Sequence, residues 1–283
     1  MNNTTSNRIG WIGLGNMGAP MALNLLKEGY FVSVYNRSAD KAKPLADAGA
    51  RVYESVRELN ENADIIFLMI SDDKAVESVF SNLFKHGVEG KLFVNMSTIS
   101  PQLACTLGVQ CREFGAQYLD APVSGSVKPA TDGTLLILVG GRSADYDRVT
   151  PFFEPMGKLS LLLGEVGQGS KAKLAINYYM SVVVEGLAET VLFAEKHGID
   201  RETMMLIVNQ SACGSPMSVM KTPSVLKNNF PAAFPLKYML KDIRLAQDAG
   251  LDTPTADVME KIYAKASENG LADDDLMAVI KAL

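Results

Sequence analysis

Residues 8–18 read RIGWIGLGNMG, a β-prone apolar run that ends in glycines at 13, 15 and 18 and passes directly into APMALNLLKEG at 19–29. A glycine triplet in G-x-G-x-x-G spacing says little alone. Between a strand and a helix it takes on a specific meaning: Gly13 permits the tight turn, Gly15 lets the backbone approach a pyrophosphate, and Gly18 lets the helix pack on the sheet. The helix N-terminus then faces the phosphates. The segment Gly13, Leu14, Gly15, Asn16, Met17 and Gly18 is therefore the candidate cofactor loop, with a ligand-free glycine turn as the alternative.

Outward from this loop, strand-like runs alternate with helical ones: YFVSVYNRS (30–38), ADKAKPLADAG (39–49), ADIIFLMI (63–70), KAVESVFSNL (74–83), KLFVNMST (91–98) and PQLACTLGVQCREFG (101–115). Such alternation specifies a parallel sheet with helices on both faces. Two more strand-like runs, AQYLDAPVS (116–124) and GTLLILVGG (133–141), follow. Beyond VGQGS the pattern is helical from Lys171 to about His197, ~27 residues or about 40 Å of helix. The rest reads as helices around an irregular stretch, SACGSPMSVMKTPSVLKNNFPAAFP. The expected fold is thus α/β: a Rossmann-type doubly wound domain over 1–165 and an all-α domain over 166–283 that includes a long connecting helix at about 170–197.

The whole chain of 283 residues is 47% apolar and 21% charged with a net charge of −5, which speaks against nucleic acid or an acidic membrane as the main partner. Cys105, Cys111 and Cys213 are spaced for neither a metal site nor paired disulfides and read as buried small apolar residues, so no metal is expected. The opening MNNTTSNRIGWIGLG lacks a basic segment followed by an apolar one, and no run is long enough to span a bilayer; a cytoplasmic protein is expected.

About 20 residues past the glycines, an NAD site places a carboxylate on the ribose 2′-hydroxyl. Here VYNRS supplies Asn36, Arg37 and Ser38 instead, donors and a fixed cation suited to a 2′-phosphate, hence NADP(H). Flavin and S-adenosylmethionine sites also use glycine loops without accounting for Arg37, and an arginine on a solvated turn is the plain alternative. Asp40 reads as a first-turn acid of the next helix.

In GSKAKLAIN (169–177), Lys173 and Asn177 are four apart and share a helix face within about 40°, whereas Lys171 and Asn177 are about 120° apart. A positioned ammonium can stabilise the alkoxide formed when hydride reduces a carbonyl and donate the proton, with Asn177 orienting the lysine or the substrate hydroxyl. A surface pair is the ordinary reading of the same spacing. DAPVSGS (120–126) ends a strand on the sheet edge where ligands bind, and Ser124 with the amides of Gly125 and Ser126 makes a plausible carboxylate cradle, or else a plain turn. In FPLKYMLKDIRLA, Phe234, Lys241 and Asp242 lie ahead of or on a further helix beside core-like Leu240 and Ile243. His86 and His197 read as helix C-terminal caps, the methionines near 217–220 as pocket lining or gap-filling core, and the acids of LADDD as a helix start.

Taken together, these motifs resemble the β-hydroxyacid dehydrogenase family, which includes 3-hydroxyisobutyrate dehydrogenase, tartronate semialdehyde reductase and the glyoxylate/succinic semialdehyde reductases. The resemblance runs from IGWIGLGNMGAPMALNLLKEGY through FVNMSTISP, DAPVSGSVKPATDGTL, GQGSKAKLAIN and FPLKYMLKDIRLA to LADDD. It implies that Lys173 is the catalytic lysine supported by Asn177, and that Ser124 and Gly125 hold the substrate carboxylate. Thr98 and Lys241 would contact the cofactor, with Met69 and Ile70 beside its adenosine and pyrophosphate and Phe234 and Asp242 near the substrate. VYNRS and the single asparagine after the lysine are closer to the NADPH-using glyoxylate/succinic semialdehyde reductases than to the NAD-using hydroxyisobutyrate enzymes. The expected activity is reduction of small carboxylate-bearing aldehydes in the cleft between domains, by a homodimer or homotetramer. The alternatives are a 3-hydroxyisobutyrate or tartronate semialdehyde enzyme, an imine reductase, or an NADP-binding interaction module without turnover. Retention of Lys173 weighs against the last two.

Overall fold

The structure, a computed structural model, describes residues 8–283; the expectation that no leader opens the chain rests partly on residues 1–7 and lies outside them. Strands β1 (Ile9–Ile12), β2 (Val32–Tyr35), β3 (Arg51–Val52), β4 (Ile65–Leu68), β5 (Leu92–Asn95) and β6 (Gln117–Asp120) form one sheet in the order β3-β2-β1-β4-β5-β6. Every pairing in it is parallel. The intervening helices are α1 (Gly18–Lys27), α2 (Lys43–Asp47), α3 (Val56–Glu61), α4 (Asp73–Phe84) and α5 (Pro101–Glu113).

Strands β1, β4 and β5 are buried at every position, which is why their sequences are continuous apolar runs rather than alternating ones. Their side chains feed two cores. Ile9, Trp11 and Phe67 pack on one face, where Trp11 and Phe67 stack at 5.5 Å between ring centroids, and Ile12, Ile66, Phe80 and Phe93 pack on the other. The strand order reverses between β1 and β4, and the carboxyl ends of strands at such a switch point are where doubly wound sheets take ligands.

Two readings are corrected beyond β5. AQYLDAPVS is not one strand: Ala121 donates the last ladder bond to the Asn95 carbonyl, Pro122 has no N–H to continue it, and the chain turns into β7 (Val123–Ser124). A separate three-stranded sheet follows in the order β7-β8-β9, with β8 (Leu135–Val139) antiparallel to β7 and parallel to β9 (Gly157–Leu162). Helices α6 (Val127–Thr131) and α7 (Ser143–Phe153) accompany it. The second correction is the stretch read as irregular, which contains α10 (Pro216–Lys227). A capping box between Ser215 and Ser218 and a proline in the first turn start this helix firmly enough to carry Pro223 in its interior.

The chain divides into two units, the first ending at Lys173 and the second running Leu174–Leu283, so the division falls within the 29-residue helix α8 (Gln168–Lys196). The second unit continues with α9 (Arg201–Gln210), α10, α11 (Leu236–Asp248), α12 (Ala256–Ala266) and a closing 3-10 helix at Leu276–Lys281. Its core gathers Val184, Leu187 and Val191 of α8 with Met239, Ile243, Tyr263 and Leu276. No helix among the described residues is long and apolar enough to cross a membrane. Of the cysteines only Cys111 is buried, its thiol pushed up to about 12 by that burial; Cys105 is half-buried and Cys213 exposed, against the expectation of three buried residues. Met217 packs against the second core as a gap filler, but Met220 is exposed.

Several charged groups of this unit are buried, and one of them lies on α8. Glu185 is only 7% exposed, and burial together with Glu189 one turn on pushes its carboxyl up to about 7. Below about pH 4.3 the folded and unfolded chains both hold the proton. Between there and about 7 the unfolded chain releases it while the folded chain keeps it, so stability falls as pH rises through this window. Glu185→Gln is therefore expected to raise the melting temperature at pH 8 by about 3 °C and to leave it unchanged at pH 4. Thermal melts at the two pH values check this; an equal change at both would remove the titration as the cause.

Candidate active site

The glycine loop separates two reasons for being glycine. Gly13 has φ 99°, and a Cβ there would lie 2.3 Å from the Met69 carbonyl oxygen; a Cβ on Gly18 would lie 2.1 Å from the Gly13 carbonyl oxygen. These two serve the fold. At Gly15 a Cβ would meet nothing within 4 Å, so packing does not require glycine there. The bare backbone at Gly15 leaves room for a ligand to reach the main chain, as a pyrophosphate does. Helix α1 begins next to it with Met17 at the N-cap, no side-chain cap and no acid in the first turn, an end suited to an anion. These residues fit a dinucleotide.

The end of β2 is tied to this loop. Asn36 Oδ1 accepts from the Leu14 amide at 2.8 Å, and its Nδ2 donates to the Ser38 carbonyl at 2.9 Å, so Asn36 shapes the loop from within. Arg37 is exposed and forms no ion pair among the described residues, and Ser38 beside it is exposed as well. Asp40 lies in the first turn of a 3-10 helix, Ala39–Ala42, as its sequence position suggested. Met69 and Ile70 follow β4 against Gly13, and the Ile70 amide donates to Ser97 Oγ at 2.9 Å. Thr98 is half-buried just beyond Ser97.

Ser124 lies in β7, opposite Leu136. Gly125 follows with φ 139°, and a Cβ there would sit 2.7 Å from Leu135 Cδ2, so a side chain is excluded by both conformation and space. Ser126 occupies the N-cap position of α6, with no side-chain cap bond. On α8, Lys173 is buried at 6% exposure while Lys171 is exposed, which resolves the two lysines as the face argument anticipated. The surface-pair alternative for Lys173 and Asn177 does not hold, because both are buried.

In the second unit, Asn177 is 1% exposed and its Nδ2 donates to Asp242 Oδ2 at 2.5 Å. Asp242 on α11 is also buried, and Lys241 Nζ lies 2.9 Å from its Oδ1. Asn177, Asp242 and Lys241 thus form one linked group. Phe234 stands immediately ahead of α11, half-buried, with its backbone amide donating to Asp275 Oδ2 at 3.2 Å. Asp275 accepts from the amides of Ala233 and Met277 as well and from Lys221 Nζ at 2.7 Å, making it the organiser of the Phe234 segment. The sequence reading placed it only at a helix start, which it also is. Its buried partner, 54 positions away, left no local sign.

Two family models cover the described chain: the NAD binding domain of 6-phosphogluconate dehydrogenase matches residues 8–167, and the NAD-binding domain of NADP-dependent 3-hydroxyisobutyrate dehydrogenase matches 167–283. The chain is 39% identical to glyoxylate/succinic semialdehyde reductase 2, chloroplastic, of Arabidopsis thaliana over 97% of its own length and 79% of that protein's. The chain belongs to the β-hydroxyacid dehydrogenase family. A second member of it, glyoxylate/succinic semialdehyde reductase 1 of Arabidopsis thaliana, is 38% identical, with 97% of this chain and 98% of that protein covered. Mycobacterium tuberculosis 3-hydroxyisobutyrate dehydrogenase, solved with L-serine, superposes with a TM-score of 0.88 at 31% identity, covering 98% of this chain and 99% of that one. The expected fold class and family are borne out, and the chain is an NAD(P)-dependent oxidoreductase of the β-hydroxyacid dehydrogenase type.

Proposed function

We propose that this family member is an NADPH-dependent reductase that converts small carboxylate-bearing aldehydes, glyoxylate or succinic semialdehyde, to hydroxy acids. The observation that carries the proposal is the burial of Lys173, at 6% exposure, in the second turn of α8. An ammonium is seldom taken out of water unless its charge has work to do. Bound NADPH supplies a hydride to the carbonyl carbon. Lys173 stabilises the negative charge that develops on the carbonyl oxygen and gives that oxygen the proton held on Nζ; the neutral amine then recovers a proton from solvent. Asn177, fixed through its amide to Asp242, helps orient the lysine or the substrate. Ser124, Gly125 and Ser126 hold the carboxylate. Arg37, exposed at the end of β2, pairs with the 2′-phosphate, and Thr98, Met69, Ile70 and Lys241 contribute to the cofactor site. The names of the two Arabidopsis relatives support this substrate class.

Absorbance at 340 nm, followed with glyoxylate, succinic semialdehyde, tartronate semialdehyde and methylmalonate semialdehyde, tests the assignment. Turnover of the first two with NADPH preferred over NADH is the expected result. Arg37→Ala is expected to lower kcat/KM for NADPH by about 10- to 100-fold, the worth of a charge-assisted hydrogen bond, and to leave NADH little changed. Protein that binds NADPH yet reduces none of the four aldehydes would overturn the assignment.

A further inference from the structure

Asp120 ends β6 and is 1% exposed. Its two carboxylate oxygens divide their bonds: Oδ1 accepts from the Gly167 amide and Oδ2 from the Ser170 amide, each at 2.7 Å. These amides lie at the opening turn of α8, whose first N–H groups have no partners within the helix. A carboxylate at a helix N-terminus also meets the positive end of the helix dipole. Burial pushes the Asp120 carboxyl upward while the two backbone bonds pull it down.

The surroundings form a socket. A Cβ on Gly140 would lie 2.4 Å from Asp120 Oδ1, and one on Gly169 would lie 3.0 Å from Oδ2 and 2.3 Å from the Leu138 carbonyl oxygen. Gly167 has φ 96°. Three glycines therefore let the backbone of 140 and of 167–169 close around one carboxylate. The Asp120 backbone is itself pinned by reciprocal bonds with Gly140, N to O at 3.1 Å and 2.8 Å.

We infer that Asp120 is a positioning residue for the reduction: it sets the start of α8, and with it Lys173, in register with the Ser124–Gly125 loop. Lys173 follows Ser170 by three residues, less than one helical turn. Ser124 follows Asp120 by four, so the seven residues of DAPVSGS (120–126) hold the lysine's helix at one end and the carboxylate cradle at the other. The inference rests on the proposed role of Lys173. The cofactor loop takes its tie from Asn36 instead, whose Oδ1 accepts from the Leu14 amide.

Asp120→Asn keeps one acceptor but turns its amide hydrogens toward one of the two backbone donors; Asp120→Ala removes both acceptors. The expected order of kcat is wild type, then Asp120→Asn about 10-fold lower, then Asp120→Ala about 100-fold lower, the scale on which misplacing a reacting group by about 1 Å costs rate. The Kd for NADPH, read from its fluorescence, stays within twofold in both. With NADPH deuterated at the transferred position, the isotope effect on kcat rises in both variants, because the chemical step becomes slower relative to product release. If Asp120→Asn melts at lower temperature but keeps kcat and the isotope effect of the wild type, Asp120 is structural only and the inference fails. A Lys173→Ala variant of undiminished kcat identifies instead a failure of the lysine's proposed role. Should Asp120→Ala not fold, Asp120→Asn alone decides, since it retains volume and one bond.

Discussion

Lys173→Ala is expected to lower kcat for glyoxylate by about 10³-fold while leaving the Kd for NADPH nearly unchanged. A general acid alone contributes about 10²–10⁴-fold, and loss of its charge from a buried site removes stabilisation of the alkoxide as well. The loss is expected in the chemical step, since Lys173 is buried and alanine leaves no side chain in its place to donate the proton. Lys173→Arg separates the two contributions. It keeps a cation but holds its proton too firmly to release it, so it should stay at least about 10²-fold below the wild type. Steady-state rates with saturating NADPH, beside fluorescence titration of the cofactor, are the measurement. An alanine variant within fivefold of the wild type would remove Lys173 from the mechanism, whatever the fate of NADPH binding.

Asp275→Ala is expected to carry the largest stability cost. The Lys221 and Asp275 side chains are 7% and 2% exposed and lie 2.7 Å apart, and the same carboxylate accepts from the amides of Ala233, Phe234 and Met277. Truncation strands a buried ammonium and orphans three N–H groups, a loss of about 3–5 kcal/mol. Removing the stranded charge too, in Lys221→Met with Asp275→Ala, should recover part of it, because an unpaired buried charge costs more than no pair at all. Urea unfolding of the two single variants and the double variant measures the coupling. A single-variant loss below about 1 kcal/mol, or strict additivity, would show the pair to be a bystander. Substrate affinity tests the role that the resemblance implies for Phe234: its backbone is held by Asp275, so with Phe234 at the substrate a folded Asp275→Ala shows a raised KM for aldehyde with the Kd for NADPH preserved.

What could be read from the sequence is local in its physics. The apolar runs at 8–15 and 63–70 emerge as β1 and β4 because strands buried on both faces require continuous apolar residues, and GLGNMG turns tightly because only glycine fits at 13 and 18. That Lys173 and Asn177 share a helix face followed from the 100° step of a helix, and both are buried. Where reading failed, the cause was a choice between local alternatives. Pro122 splits a run that looks like one strand, and a strong N-cap at Ser215 outweighs Pro223 inside α10.

The sequence by itself determined the alternation of strand and helix, the dinucleotide loop and which lysine faces inward, since each depends on residues within a turn or a strand of one another. Only the tertiary structure decided that Asp120 closes on the amides of Gly167 and Ser170, that Asn177 meets Asp242, and that Asp275 meets Lys221. Those partners are 47 to 65 positions apart. A carboxylate carries no periodic signal of its own, and its role is set by whichever buried donors the completed packing brings to it.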